Sequence, residues 1–389
     1  MKKGFFSVFF FLGLALLFLN HSFGQSHFYI GHEEGDGYLI DPRQIEEGPD
    51  GNIYIFDASD AYIKVFSPEG KYLRRIGGKG QGPGEFQRAD GSGFGFTSDG
   101  KLYFTEYTGG HRWITFMELS GEFINVLTLK INEVFGVSCS STLEDGSFLV
   151  EISLNSIPEK KNDYFLYRSP EALVRVDSTG KTIAEIIKTN YFTQISSIGD
   201  GGTSWIPFIP VFTWTPFKNN TVIFADGSSQ NLKVYDYKGR FIHEIETGLP
   251  LPEKVTGKDL NQWRKRRKES MSIRDKAWYN RFGRVIEKYK KSIYKNKPNL
   301  NRISLTPAGN ILVSGPWDYD EGKINYWLLD EKGKSIAQIH MAIHRLNISK
   351  HFILFTTSNE EGITLVHCLK RRGSEREGLL KISSLNPFY

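Results

Sequence analysis

Hydrophobic and polar residues alternate along this chain in short bursts, and the bursts recur. A turn followed by a run of β-branched and aromatic residues appears as DGNIYIFD from Asp50, SDGKLYFTE from Ser98, EDGSFLVE from Glu144, NNTVIFAD from Asn219, AGNILVSG from Ala308 and SKHFILFT from Ser349. A second run, ending at a glycine turn, follows each: IKVFSPEGKYLRRIG from Ile63, WITFMELSGEFINVL from Trp113, ALVRVDSTGKTIAEI from Ala172, LKVYDYKGRFIHEI from Leu232, NYWLLDEKGKSIAQI from Asn325 and, more loosely, ITLVHCLKRRG from Ile363. Two-residue alternation bounded by Asp-Gly-type turns is the signature of hairpins, so each unit predicts four antiparallel strands. One such sheet leaves both faces bare, whereas six in a circle cover them on their neighbours and keep only short edges. The pattern therefore predicts an all-β fold, a six-bladed β-propeller of four-stranded antiparallel blades. Closing the ring takes a strand from one terminus, either FYIG from Phe28 or LLKISSL from Leu379.

Between the fourth and fifth blades the period changes, and residues 256–297 predict a basic helical insertion. Thr256 and Asp259 stand in a capping-box relation, and Pro298 marks the exit. Trp278, Phe282, Val285, Ile286, Tyr289 and Ile293 recur at three and four and share one face, while Gly257 and Gly283 favour two shorter helices over one. Residues 258–297 hold 15 Lys or Arg against 4 Asp or Glu, a net of +11, in a chain whose net charge is +5, so the remainder sums to −6. That local excess, with RKRRK at Arg264 to Lys268, suits contact with an anionic surface; its plainer role is a solvated helix face.

The N-terminus predicts export. Lys2 and Lys3 precede an apolar run from Phe5 to Leu19 and the small residues Ser22 and Gly24, the layout of a Sec-type signal peptide over residues 1–24. The run falls short of the roughly 20 residues a spanning helix needs, and no cysteine lies near the cleavage point to accept a lipid. Residues 25–389 are thus expected to form a single propeller domain in the periplasm or outside the cell, with no transmembrane span in the mature chain and no nucleic acid as partner. The 29 Phe, 18 Tyr and 7 Trp supply a large core, and the two cysteines, Cys139 and Cys368, read as buried thiols rather than staples.

Candidate chemistry lies on the loops that follow each second strand. These begin at Asp57, Glu106, Glu151, Asp226 and, less regularly, Trp317-Asp318-Tyr319, so four of six blades place a carboxylate at the same step. Such carboxylates suit a ring at the channel mouth for Ca²⁺ or a hydroxylated ligand; equally, each suits acceptance of its own loop's N–H groups. Arg112 and the aromatic Trp205 and Trp317 extend the ligand-binding set, since flat rings stack on sugars and anchor partners, whereas Trp113 and Trp214 lie in strand text and read as packing. No HExxH, HxH or GxSxG occurs, and GGKGQGPGE from Gly77 lacks the terminal GK[ST] of a phosphate loop. No catalytic residue and no cofactor beyond Ca²⁺ are therefore assigned.

The text DGNIYIFDASDAYIKVFSPEGKYLRRIGGKGQGPGEF, Asp50 to Phe86, resembles the NHL-type repeat, and the mature chain resembles the bacterial secreted six-bladed β-propeller proteins. That resemblance implies fold and export. Some NHL propellers are lyases or lactonases with channel-lining His or acidic metal ligands, but no histidine of this chain recurs at the repeat position. The expected function is a noncatalytic binding or scaffolding propeller that recognises a protein or carbohydrate ligand through its loop face. The rival is a metal-dependent hydrolase or lyase acting on a sugar or lactone through the carboxylate ring.

Overall fold

The computed structural model describes residues 27–32, 34–86, 93–105, 113–132, 134–197, 203–269, 293–359 and 363–384. In it every alternating run is a strand. Blade 1 is Pro42–Glu47, Ile53–Asp57, Tyr62–Phe66 and Tyr72–Gly77, each antiparallel to the one before. Blade 2 is Gly93–Phe96, Leu102–Thr105, Trp113–Met117 and Phe123–Thr128, and blade 4 is Thr213–Phe217, Thr221–Ala225, Leu232–Asp236 and Phe241–Ile245. Blade 5 follows as Arg302–Leu305, Ile311–Asp318, Lys323–Leu329 and Ser335–Met341. First strands of adjoining blades lie against one another, as Thr213–Phe217 does against Arg302–Leu305, which puts them around the axis. Second strands such as Ile53–Asp57 and Leu102–Thr105 are buried along their whole length because a neighbouring blade covers each face, whereas outer strands such as Phe123–Thr128 stay largely open.

Blade 3 departs from the expected four strands. Val134–Thr142, Phe148–Leu154, Tyr164–Val176 and Thr182–Ser197 form its body, and the last two run long enough to carry Ile157–Lys160 and Thr203–Trp205 as additional strands, giving six.

Six hydrophobic clusters fill the six gaps of the ring. Phe56 with Phe104 joins blades 1 and 2, Phe116 with Val150 joins 2 and 3, and Leu149 with Phe224 joins 3 and 4. Val234 with Val313 joins 4 and 5, Leu328 with Phe355 joins 5 and 6, and Ile55 with Leu354 closes 6 onto 1. Turn glycines allow the approach. Gly180, at φ +80°, carries no Cβ where one would come within 2.0 Å of the Thr128 carbonyl oxygen at the end of blade 2, and Gly333 meets Glu246 at the end of blade 4 in the same way, at 2.1 Å.

The N-terminal strand closes the circle. His27–Ile30 pairs antiparallel with Thr364–Lys370, Phe28 opposite Cys368, and completes the blade formed with Arg345–Ile348 and Phe352–Ser358. The alternative closing segment from Leu379 is instead part of a helix, Glu375–Ser384. Ser374 and Glu377 cap it reciprocally at 3.2 Å, and Leu379 and Ile382, three apart, bury one helix face against blades 5 and 6. Cys368 is buried beside the closing strand; the Cys139 side chain lies outside the described residues.

The insertion begins as expected. Helix Gly257–Glu269 opens on a capping box in which Thr256 N–H donates to Asp259 Oδ2 at 2.7 Å and Asp259 N–H donates to Thr256 Oγ1 at 3.3 Å. Trp263, Ile293 and Tyr294 pack on Leu166, Ile195 and Ile206 of the blade 3 extension, so the long hairpin and the insertion support each other. Of the remaining apolar positions on that predicted face, Trp278, Phe282, Val285, Ile286 and Tyr289, together with Gly283, lie outside the described residues. Among the described residues no helix is long and apolar enough to cross a membrane.

Candidate functional site

The strand that ends at Asp57 places its carboxylate where the segment entering the first strand of blade 1, the following loop and the third strand all donate to it. Asp57 is fully buried; Oδ2 accepts Ile40 N–H at 2.9 Å and Lys64 Nζ at 3.1 Å, and Oδ1 accepts Asp41 N–H at 2.9 Å and the Ser59 hydroxyl at 2.8 Å. Burial pushes this carboxyl upward, but the two backbone N–H groups, Ser59 and Lys64 outweigh it and hold it below the usual range. Asp226 behaves alike. Oδ1 accepts the N–H of Ser228 at 2.9 Å and its hydroxyl at 2.5 Å, and Oδ2 accepts the Tyr191 hydroxyl at 2.6 Å. Glu151 Oε2 accepts Trp214 Nε1 at 2.9 Å, which gives Trp214 the packing role its strand position suggested. Glu106 and Arg112 lie outside the described residues. Among the described residues no three His, Cys, Asp or Glu side chains are placed to hold a metal ion together. Asp57, Glu151 and Asp226 are thus each engaged by groups within the fold.

The same region holds a group the sequence did not single out. Glu171, on the third strand of blade 3, lies two pairs along from Glu151, opposite Ser153, and burial together with Glu151's charge raises its carboxyl to about 7. Its ordinary value is 4.5, so the native state binds a proton that the unfolded chain releases; the stability this contributes is full below pH 4.5 and is lost as pH rises through 7. Glu171→Gln, neutral at every pH, is expected to match the wild type at pH 4 and to exceed it at pH 8 by on the order of 2 kcal/mol, measured by urea unfolding at both pH values.

A cleft of about 990 Å³ opens between helix Gly257–Glu269 and the loop that follows the second strand of blade 5. Trp317 and Asp318 line it, joined by Trp263, Tyr319, Phe208 and Trp327. Trp317 stacks on His344 with ring centroids 4.9 Å apart, and Tyr319 stands edge-on to it and 56% exposed. Asp318 is again a loop anchor, accepting the N–H groups of Asp320 and Glu321 at 2.8 and 3.1 Å. Several charges across the cleft are paired within the fold. Lys258 Nζ reaches Asp320 Oδ2 at 2.6 Å and holds that carboxyl below the usual range, Lys297 bridges Glu253 and Asp259 at 2.9 and 3.0 Å, and the Arg266 guanidinium lies over the Tyr319 ring. Part of the insertion's basic excess is therefore spent within the fold. Trp205 is 48% exposed on the added edge strand opposite Gln194 and is not among the residues lining the cleft.

One wall carries an unmet polar atom. Asn299, 8% exposed, donates its amide to the carbonyls of Ser229 and Pro250 at 3.2 and 2.6 Å, which fixes the orientation of the group and leaves Oδ1 buried without a donor. Sequence reading reached Trp317 and Asp318 through the repeat but passed over Trp263 and Asn299. The first stands inside a charged run that reads as solvent-facing, and the second is drawn to the cleft only by the insertion's return.

Residues 29–200 match a family model described as a 6-bladed beta-propeller. None of the curated proteins matches the chain. A crystal structure of a protein from Bacteroides fragilis, described as exported, shares 12% identity over 89% of this chain and 95% of its own, with a TM-score of 0.50. Virginiamycin B lyase from Staphylococcus aureus shares 12% identity over 89% and 98% at a TM-score of 0.43, and the calcium-binding protein regucalcin from Agrobacterium tumefaciens 10% over 86% and 92% at 0.41. The family match and the Bacteroides fragilis structure agree with the sheet order: the chain is a six-bladed β-propeller.

Proposed function

We propose that this chain is an exported, noncatalytic recognition propeller whose ligand, a carbohydrate, lies in the cleft between the insertion and blade 5. The observation that carries the reading is the cleft itself. Its volume stands at the upper end of the roughly 300–1,000 Å³ of small-ligand sites, and aromatic rings line it beside the amides of Asn299, Asn301 and Asn325. Flat rings meet the apolar face of a sugar and amides meet its hydroxyls; with Lys258 and Lys297 already paired to carboxylates, a neutral chain is favoured over a charged one. Export rests on Lys2, Lys3 and the apolar run to Leu19, and cleavage after Gly24 leaves Gln25 and Ser26 ahead of the ring-closing strand.

The test is intrinsic tryptophan fluorescence with cellohexaose and chitohexaose as probes. Saturable quenching is expected, with Kd raised about tenfold in Trp317→Ala and in the exposed Tyr319→Ala, whose melting stays near wild type. The sugar should be recovered intact, and a chelator should leave melting unchanged. Cleaved sugar or a chelator-lowered midpoint would favour the metal-dependent hydrolase or lyase; absence of any saturable change would sink the cleft as a sugar site.

A further inference from the structure

Inner strands of blades 1, 6 and 5 stand side by side around the axis, and each carries an arginine near the end at which it enters the ring: Arg43, Arg345 and Arg302. Register places them at one level. Arg302 is opposite Ser314, Arg345 is opposite Thr356, and Arg43 falls at the bulge between Pro42 and Gln44, beside Asp57 and Phe56, so all three lie toward the loop end of the second strands. Arg345 and Arg302 are exposed to water, yet burial depresses the Arg345 guanidinium and the like charges of Arg302 and Arg43 press it further. Their place at one level on the first strands of adjoining blades puts the three arginines around the ring's axis.

The acidic groups nearby do not balance this set. Asp41 pairs with Arg43 at 2.9 Å and is also felt by Arg345. Glu46, deeper on the same inner strand, is pushed up toward its neutral form by burial, against the pull of Arg302 and of hydrogen bonds from Gln44 and Asn347. Among the described residues the side chains of Arg302 and Arg345 form no ion pair and no hydrogen bond, so two guanidiniums repel each other with their planar donor edges unused. Holding like charges at one point is unfavourable until a counter-charge arrives, and a guanidinium pair matches the forked oxygens of an oxyanion. This is the reverse of the acidic channel mouth expected from Asp57 and Asp226, whose oxygens are taken by Ile40, Asp41, Ser228 and Tyr191.

We infer that the channel mouth is a second binding site, separate from the cleft, in which Arg302 and Arg345, aided by Arg43, hold a small oxyanion. Carboxylates and phosphate or sulfate share this chemistry, and the experiment separates them. Thermal unfolding of the full chain is followed while inorganic phosphate or galacturonate replaces chloride at constant ionic strength. Wild type is expected to show a saturable rise of a few degrees with one of them, and the ion that saturates at lower concentration names the source. The double variant Arg302→Gln, Arg345→Gln should lose the saturable rise while melting no lower than wild type in low-salt buffer, since the repulsion is gone. Equal, non-saturating stabilisation of both proteins would show a general salt effect and overturn the site. So would a low-salt midpoint well below wild type in both the double variant and Arg302→Gln alone, which would make the guanidiniums structural.

Discussion

Removal of residues 27–31 opens the ring and should cost the chain more of its stability than any other change of comparable size. The four-residue strand supplies the outer edge of the last blade, and Ile30, 2% exposed, sits in the cluster between blades 6 and 1 with Leu39, Phe66 and Val366. Phe28 is packed against that cluster and lies 2.8 Å from where a Cβ on Gly70 would stand, the same seat that the end of blade 2 takes against Gly180. Burial of Ile30 and part of Phe28 contributes about 3–5 kcal/mol, before counting the open edge left along Thr364–Lys370. Set against a typical total of about 5–15 kcal/mol, that loss should lower the melting midpoint by many degrees and blunt its cooperativity. A peptide spanning residues 25–35 added in trans should restore part of the shift. An unchanged midpoint would mean that the ring closes without this strand.

Much of this architecture was legible because a propeller writes its fold in every repeat. Six Asp-Gly-type turns and the runs after them located the second and third strands of all six blades, and both faces of those strands are covered for the reason the pattern implied. Where the repeat stopped, so did legibility. The segment from Leu379 alternates well enough to pass for a strand, yet Ser374 and Glu377 form a capping box just ahead of it, and Leu379 and Ile382 are spaced for one helix face. The extra strands of blade 3 were hidden because Tyr164–Val176 and Thr182–Ser197 run on past Ser169-Pro170 and Asn190, residues that read as turn marks but pair with each other inside the ladder. At the candidate site the repeat misled in an instructive way. It placed Asp57 and Asp226 correctly at the ends of their second strands, but there the carboxylates are taken up by the fold around them. Trp317, on the least regular of the loops that follow those strands, is the one that faces open space.

Replacing Asp57 by alanine should show how fully the scaffold consumes it, with a loss of about 3–5 kcal/mol, the range for breaking a buried ion pair on one side. Lys64, 4% exposed, would keep only the Tyr38 carbonyl at 2.6 Å and Asp60 at 2.9 Å, and the N–H groups of Ile40 and Asp41 would lose their acceptor. Asp57→Asn keeps the shape and one acceptor oxygen, so about half of that loss is expected. Lys64 keeps Asp60 as a partner in Asp57→Ala, so a double-mutant cycle with Lys64→Met in urea separates the Asp57–Lys64 coupling from the loss of the two backbone donors' acceptor. The pH dependence has a fixed sign. Asp57 is held below its ordinary value in the folded chain, so its contribution is present above the unfolded value of about 3.9 and disappears as pH falls through the lower folded one; the gap between wild type and Asp57→Asn should narrow on acidification. Calcium should leave the wild-type midpoint where it is. A calcium-induced rise that vanishes in Asp57→Asn would return this carboxylate to a metal and take the loop-anchor account with it.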